Sequence, residues 1–163
     1  MKILRLLLMF MLTALVFGCS GSDTSYIPLP STATLVVTTS GTLTAGNSLA
    51  GVGLTFILPT GVTPPLDATG QVDGSKLVTA SGVTVAGGLV VTAVHVEGQP
   101  AKLSVVVASK AASGFGVGET MLLTLNLASG IPPKASDFTI TDFQAADLNG
   151  KAVSTVNAAL AMR

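Results

Sequence analysis

A side chain able to act as a general base near neutral pH occurs once in the chain, as His95 in the run Val94-His95-Val96-Glu97. A hydrolytic triad on His95 would need a serine brought close by the fold. No G-x-S-x-G elbow marks such a nucleophile, so His95 is read as a structural or surface residue of a strand. Asp137, Asp142 and Asp147 form an acidic cluster whose oxygens suit a hard cation such as calcium. Their spacing of five places neighbours on opposite faces of an extended chain, which opposes convergence on one ion. Asp147-Leu148-Asn149-Gly150 opens like a calcium loop, but a third oxygen ligand and a closing glutamate are missing. Asn149-Gly150 between alternating runs is instead a hairpin signal. Gly114-Phe115-Gly116-Val117-Gly118 has the glycine density of a phosphate loop, yet such loops open onto a helix. Here Glu119 and a strand-like run follow. With one histidine and one cysteine, transition-metal chemistry lacks its preferred ligands. The expectation is a chain with no catalytic residue, no metal site and no cofactor.

The remaining reactive group is Cys19, the only cysteine, so no intramolecular disulfide can form. Lys2 and Arg5 precede a 12-residue apolar run, Leu6 to Phe17, long enough for the h-region of a signal peptide. A membrane-spanning helix would need about 20 residues. Leu15-Val16-Phe17-Gly18-Cys19 resembles the bacterial lipobox, with Phe17 bulkier than usual at its place. The resemblance implies cleavage before Cys19 and acylation of its sulfur. Buried methylenes contribute about 0.8 kcal/mol each, enough for several acyl chains to hold a protein on a membrane. Residues 1–18 are therefore expected to be a lipoprotein signal peptide. Residues 19–32, SGSDTSYIPLPST after the cysteine, are expected to be a lipidated Ser/Gly/Pro tether. Export with lipid anchoring follows, at the outer membrane in a Gram-negative cell, because Ser20 rather than Asp comes after the cysteine.

Residues 33–163 must position whatever function the chain has, and they are one domain's worth of sequence. After the signal, Lys76, Lys102, Lys110, Lys134, Lys151 and Arg163 stand against eight acidic residues, a net charge of about −2. No basic patch exists, which disfavours nucleic acid as a partner. Short β-rich runs alternate with Gly, Pro, Asn and Asp, predicting strands at 33–38, 48–58, 76–80, 83–86, 89–97, 101–109, 119–128, 137–144 and 151–162. Alternation assigns buried faces to Val52, Leu54, Phe56 and Leu58, and to Leu103, Val105 and Val107. It assigns another to Met121, Leu123, Leu125 and Leu127, with Thr120, Thr124 and Asn126 opposite. In the last run Val156, Ala158, Leu160 and Met162 share a face, with Ser154 on their side. Helical spacing with caps is not seen. Residues 60–75 (TGVTPPLDATGQVDGS) are the longest irregular stretch. The expected architecture is an all-β antiparallel sandwich of about nine strands.

Sandwich domains commonly bind glycans by stacking sugars on exposed rings. This chain has no Trp, Tyr26 in the tether, and after the signal only Phe56, Phe115, Phe138 and Phe143. Phe56 and Phe138 have core spacing, while Phe115 and Phe143 are candidates for exposure.

The order of these features resembles the cohesin family. GFGVGETMLLTLNLASG, residues 114–130, is similar to the glycine-rich turn entering a long alternating strand. FTITDFQAADLNGKAVSTVNAAL, residues 138–160, is similar to the closing hairpin, and Val36 to Leu58 to the opening strand pair, with Ala45-Gly46-Asn47-Ser48 as its turn. The resemblance implies a jelly-roll sandwich that works by protein–protein recognition at the cell surface. The Tyr-Asp element that typically follows the second strand in cohesins is replaced by LPTGVTPPLDATG, so no partner-contacting residue is carried over. The functional expectation is a cohesin-like interaction module for surface assembly or adhesion, with a protein partner. The alternative is a glycan-binding lipoprotein.

Overall fold

A computed structural model describes residues 30–128 and 131–163. The expected signal peptide, Cys19, Tyr26 and all of the tether before Pro30 lie outside the described residues. Among the described residues, nine strands form two antiparallel sheets. They are β1 (Thr32–Gly41), β2 (Leu49–Ile57), β3 (Val62–Thr63), β4 (Val78–Ala80), β5 (Leu89–Val96), β6 (Lys102–Ser109), β7 (Gly118–Leu127), β8 (Thr139–Asp147) and β9 (Val156–Met162). One sheet has the order β3-β7-β1-β9, with β4 also pairing β7, and the other has the order β5-β6-β2-β8. The chain is an all-β sandwich.

The two sheets are held together by the faces that alternation assigned. Val52, Leu54, Phe56 and Leu58 point inward, as do Leu103, Val105 and Val107, and Met121, Leu123 and Leu125. Leu35, Val37 and Leu49 complete the same core. Phe56 and Phe138 meet edge to face, their ring centroids 6.1 Å apart at 63°. In β9, Val156 is buried and Ala158, Leu160 and Met162 are half-buried, while Asn157, Ala159 and Ala161 are exposed.

Thr120 departs from the expectation that it faces away from Met121; both are buried. Val37 pairs with Met121 but Thr38 pairs with Glu119, so Thr120 is the extra residue of a bulge. An inserted residue resets the two-residue period locally. The expected strand at 83–86 is instead a 3-10 turn, Gly82–Thr84. Thr84 is buried, and its hydroxyl lies 2.6 Å from the Thr120 carbonyl while accepting the Ser81 N–H at 3.1 Å. A side chain that bonds the backbone in this way competes with strand pairing. The run at 76–80 also divides. Gly74–Leu77 form a single helical turn, α1, capped by the Asp73 carboxylate, and only Val78–Ala80 form a strand. A helix cap is thus present where none was expected. The expected strand 151–162 begins only at Val156. Ala152 bridges Ala146, and the Val153 N–H donates to Ala145, so this segment lies along β8 before the chain crosses to the other sheet. Ser154 is exposed as a result rather than sharing the buried face of β9.

The stretch 60–75 is ordered by its own polar groups. β3 pairs with Leu127 and Asn126, Leu66 bridges Val72, and Pro64 and Pro65 are buried. Within it the Asp67 carboxylate accepts from the Thr69 hydroxyl at 2.7 Å, the Thr69 N–H at 2.8 Å and the Gln71 N–H at 3.1 Å.

Candidate functional site

The residues that could do chemistry are placed apart. His95 lies on the inward-facing side of β5, opposite Leu103, and its buried Nε2 has no hydrogen-bond partner among the described residues. No serine hydroxyl is bonded to it there. Asp137 closes a 3-10 turn, accepting the Lys134 N–H at 2.7 Å. Asp142 is exposed on the outer face of β8, and Asp147 is buried at the far end of that strand. Asp147 lies five residue steps along the strand from Asp142, about 17 Å. The Asp147 Oδ1 accepts the N–H groups of Asn149 and Lys151, each at 2.9 Å, and Gly150 takes φ +75°. Asp147 to Gly150 is therefore a closed turn.

The glycine-rich loop is also a packing element. Phe115 is buried and exchanges two backbone hydrogen bonds with Leu49, at 2.8 and 2.9 Å. Gly114 has φ +67°, and a Cβ there would stand 2.3 Å from the Leu49 carbonyl oxygen. The glycine is needed for this close approach, and the exposure considered for Phe115 is not found. Phe143 is half-buried.

What the sheet presents to solvent is the outer face of β5-β6-β2-β8. Residues paired across neighbouring strands project to the same side, so the registers define four rows. The first is Val90, Ala108, Gly51 and Ala146. The second is Thr92, Val106, Gly53 and Gln144. The third is Val94, Ser104, Thr55 and Asp142, and the fourth is Val96, Lys102, Ile57 and Thr139. Val90, Val94, Val96 and Val106 keep 53%, 56%, 56% and 54% of their surface exposed. Lys102 and Asp142 are the only charged residues in these rows.

The face has relief as well as apolar character. Valines raise it on β5 and β6, while Gly51, Gly53 and Ala146 lower it on β2 and β8. There it forms a groove of about 740 Å³, bordered by Phe143, Gln144, Ser154 and Asn157. A Cβ on Gly51 would meet the Val107 carbonyl oxygen at 2.5 Å, so that glycine is required by packing. Gly53 is not. Its nearest neighbour would be Val106 Cγ2 at an ordinary 3.5 Å, and its φ is not positive.

Protein-family models, curated proteins and solved structures contain no match to this chain.

Sequence reasoning did not single out the exposed valines. LVVTAVHV carries apolar residues at both parities and received no buried face, while in KLSVVVAS alternation buried Leu103, Val105 and Val107 without marking Val106 opposite them as an exposed apolar residue. The available signal was the excess itself, since a strand covered on one side needs only every second residue to be apolar.

Proposed function

We propose that the chain is a non-catalytic lipoprotein of the cell envelope whose cohesin-like sandwich binds a protein partner in surface assembly or adhesion. The observation that carries this reading is the set of exposed valines on β5 and β6, Val90, Val94, Val96 and Val106, beside a small-residue groove. Contiguous exposed apolar surface is uncommon on monomeric proteins and marks interaction sites. Among the described residues no serine hydroxyl bonds His95, and Asp137 and Asp147 each accept backbone N–H groups of their own turns. Lipidation at Cys19 is part of the same proposal, with the tether giving the domain slack to reach its partner.

The test compares capture by the wild-type chain with capture by Val94→Asp and Val106→Asp in envelope extracts. Both changes lie on the exposed face, so folding should be retained, as checked by circular dichroism. A protein retained by the wild type and lost with both variants supports the reading. Equal retention by all three chains would place the binding surface elsewhere.

One observation favours the glycan alternative. Phe143, Gln144, Ser154 and Asn157 are among the residues lining the groove, with Phe143 half-buried and packed against the core. Binding of an oligosaccharide that Phe143→Ala abolishes and Val94→Asp leaves intact would select that alternative.

A further inference from the structure

We propose that the open edge of β9 pairs with the β9 of a second copy of this chain, joining the β3-β7-β1-β9 sheets of the two copies into one antiparallel sheet. Sheet edges carry free backbone N–H and C=O groups, and proteins shield them with short strands, charges, proline or a covering segment. Among the described residues, the other edges of this sandwich are shielded. β3 and β4 have only two and three residues. On β5, a Cβ at Gly74 would stand 3.2 Å from the Val91 side chain, so α1 lies against that strand. Along β8, Ala152 bridges Ala146, the Val153 N–H donates to Ala145, and Asp142 adds a charge. β9 differs. Its seven residues, VNAALAM, include no charge and no proline, and among the described residues it pairs only with β1.

The register with β1 fixes which groups face the open edge. The Arg163 N–H donates to Thr34, so Arg163, Ala161, Ala159 and Asn157 turn their backbone groups toward β1. Val156, Ala158, Leu160 and Met162 turn theirs outward. A twofold axis beside Ala159, perpendicular to the sheet, brings these outward groups of two copies face to face. Val156 of each copy then exchanges hydrogen bonds with Met162 of the other, and Ala158 with Leu160. Because Ala159 is the midpoint of β9, every residue of the strand finds a partner. On the inward side each longer side chain stands opposite a shorter one. On the outer side the exposed Ala159 meets its own counterpart without a clash. Leu160 borders a crevice of about 410 Å³ with Ala135, Ser136, Phe138 and Ile140, and the partner residue arriving beside it is the small Ala158. Each contact occurs twice, as an isologous interface requires. The axis leaves the outer β5-β6-β2-β8 faces of both copies pointing the same way and open. The pairing is therefore independent of a partner on that face.

The test places cysteines at exposed positions of β9 in the full chain, expressed in cells that are then treated with an oxidant. The wild-type chain, whose only cysteine is Cys19, sets the background. Ala159→Cys should give a product of twice the chain's mass on non-reducing gels. Opposed residues of a non-hydrogen-bonded pair have Cα atoms about 4.5 Å apart, within reach of a disulfide. Ala161→Cys, displaced about 13 Å along the strand from its counterpart, should give at least about tenfold less. Adding Asn157→Cys to Ala161→Cys should restore the product, because those two positions face each other in this register. Val106→Cys, on the outer face of the other sheet, should stay at background. Circular dichroism checks that the variants fold. No dimer from Ala159→Cys, an equal or higher yield from Ala161→Cys or Val106→Cys, or no restoration by the double variant would overturn the inference. Capture of a different protein through Val94 and Val106 is a separate result that neither outcome alters.

Discussion

The hydroxyls of Thr39 and Thr120 meet at 3.2 Å inside the sandwich, each belonging to a residue no more than 1% exposed. Both also bond the backbone of Gly118. Thr120 donates to its carbonyl at 3.1 Å, and Thr39 accepts its N–H at 3.2 Å. This small polar network closes the bulge that shifts β7 against β1. Thr120→Val keeps the shape but removes a hydroxyl, leaving its partners incompletely satisfied. It should lower the unfolding free energy by about 1–3 kcal/mol, read by urea denaturation. A loss under a few tenths would mean that the network contributes no net stability.

Leu125 and Thr124 are adjacent on β7 but differ in surroundings. Leu125 is fully buried in the core, and Thr124 is half-buried on the outer face. Leu125→Ala should cost about 2–5 kcal/mol through lost contacts and the cavity left behind. Thr124→Ala should fall within roughly 1 kcal/mol. Equal losses in denaturant titrations would mean that this strand is covered on both sides.

The turn at Asp147 should be independent of calcium, because its Oδ1 is already occupied by two backbone N–H groups. The thermal midpoint should hardly differ between excess calcium and excess chelator. A ligand at a hundred times its dissociation constant would add about 2.7 kcal/mol, a shift of several degrees. Asp147→Ala, by contrast, should cost about 1–3 kcal/mol in either condition, since those N–H groups lose their acceptor.

Asp73 makes the cap of α1 sensitive to acid. Hydrogen bonds from the Ser75 side chain and from Lys76 hold its carboxyl at about 2, below the usual 3.8. The Lys76 ammonium is 3.1 Å away. A depressed value means that the folded state favours the carboxylate. The stabilisation is therefore complete above about pH 4 and disappears as the pH falls toward 2. Asp73→Ala should melt below the wild type at pH 7, and the two curves should converge across that acid range. A gap that persisted at pH 2 would assign the effect to something other than the ionised cap.

In the proposed reading, anchoring rests on a single atom, the Cys19 sulfur. Cys19→Ala should abolish incorporation of radiolabelled palmitate and leave an unprocessed precursor. A variant that still matured to the same size and stayed on the membrane would refute lipidation at this position.

The amino-acid sequence by itself determined the class of fold and most of the core. In a chain such as Gly-Glu-Thr-Met-Leu-Leu-Thr-Leu-Asn-Leu, a two-residue period suits only an extended backbone with one face buried. The turn at Asn149-Gly150 was legible for an equally local reason, because glycine adopts the positive φ that the turn needs. Tertiary structure decided what local pattern could not. Val83 to Ala86 have strand composition, but the buried Thr84 hydroxyl finds its acceptor on β7, 36 residues away, and holds the segment as a turn. Thr120 is buried because of a bulge against β1, a register that only pairing can set. The outer face arose in the same way. Val90, Val106, Gly53 and Ala146 are scattered through the chain, and they become one surface only when β5, β6, β2 and β8 align. Hydrophobic alternation is a property of single strands, whereas the relief and charge of a face depend on which strands become neighbours.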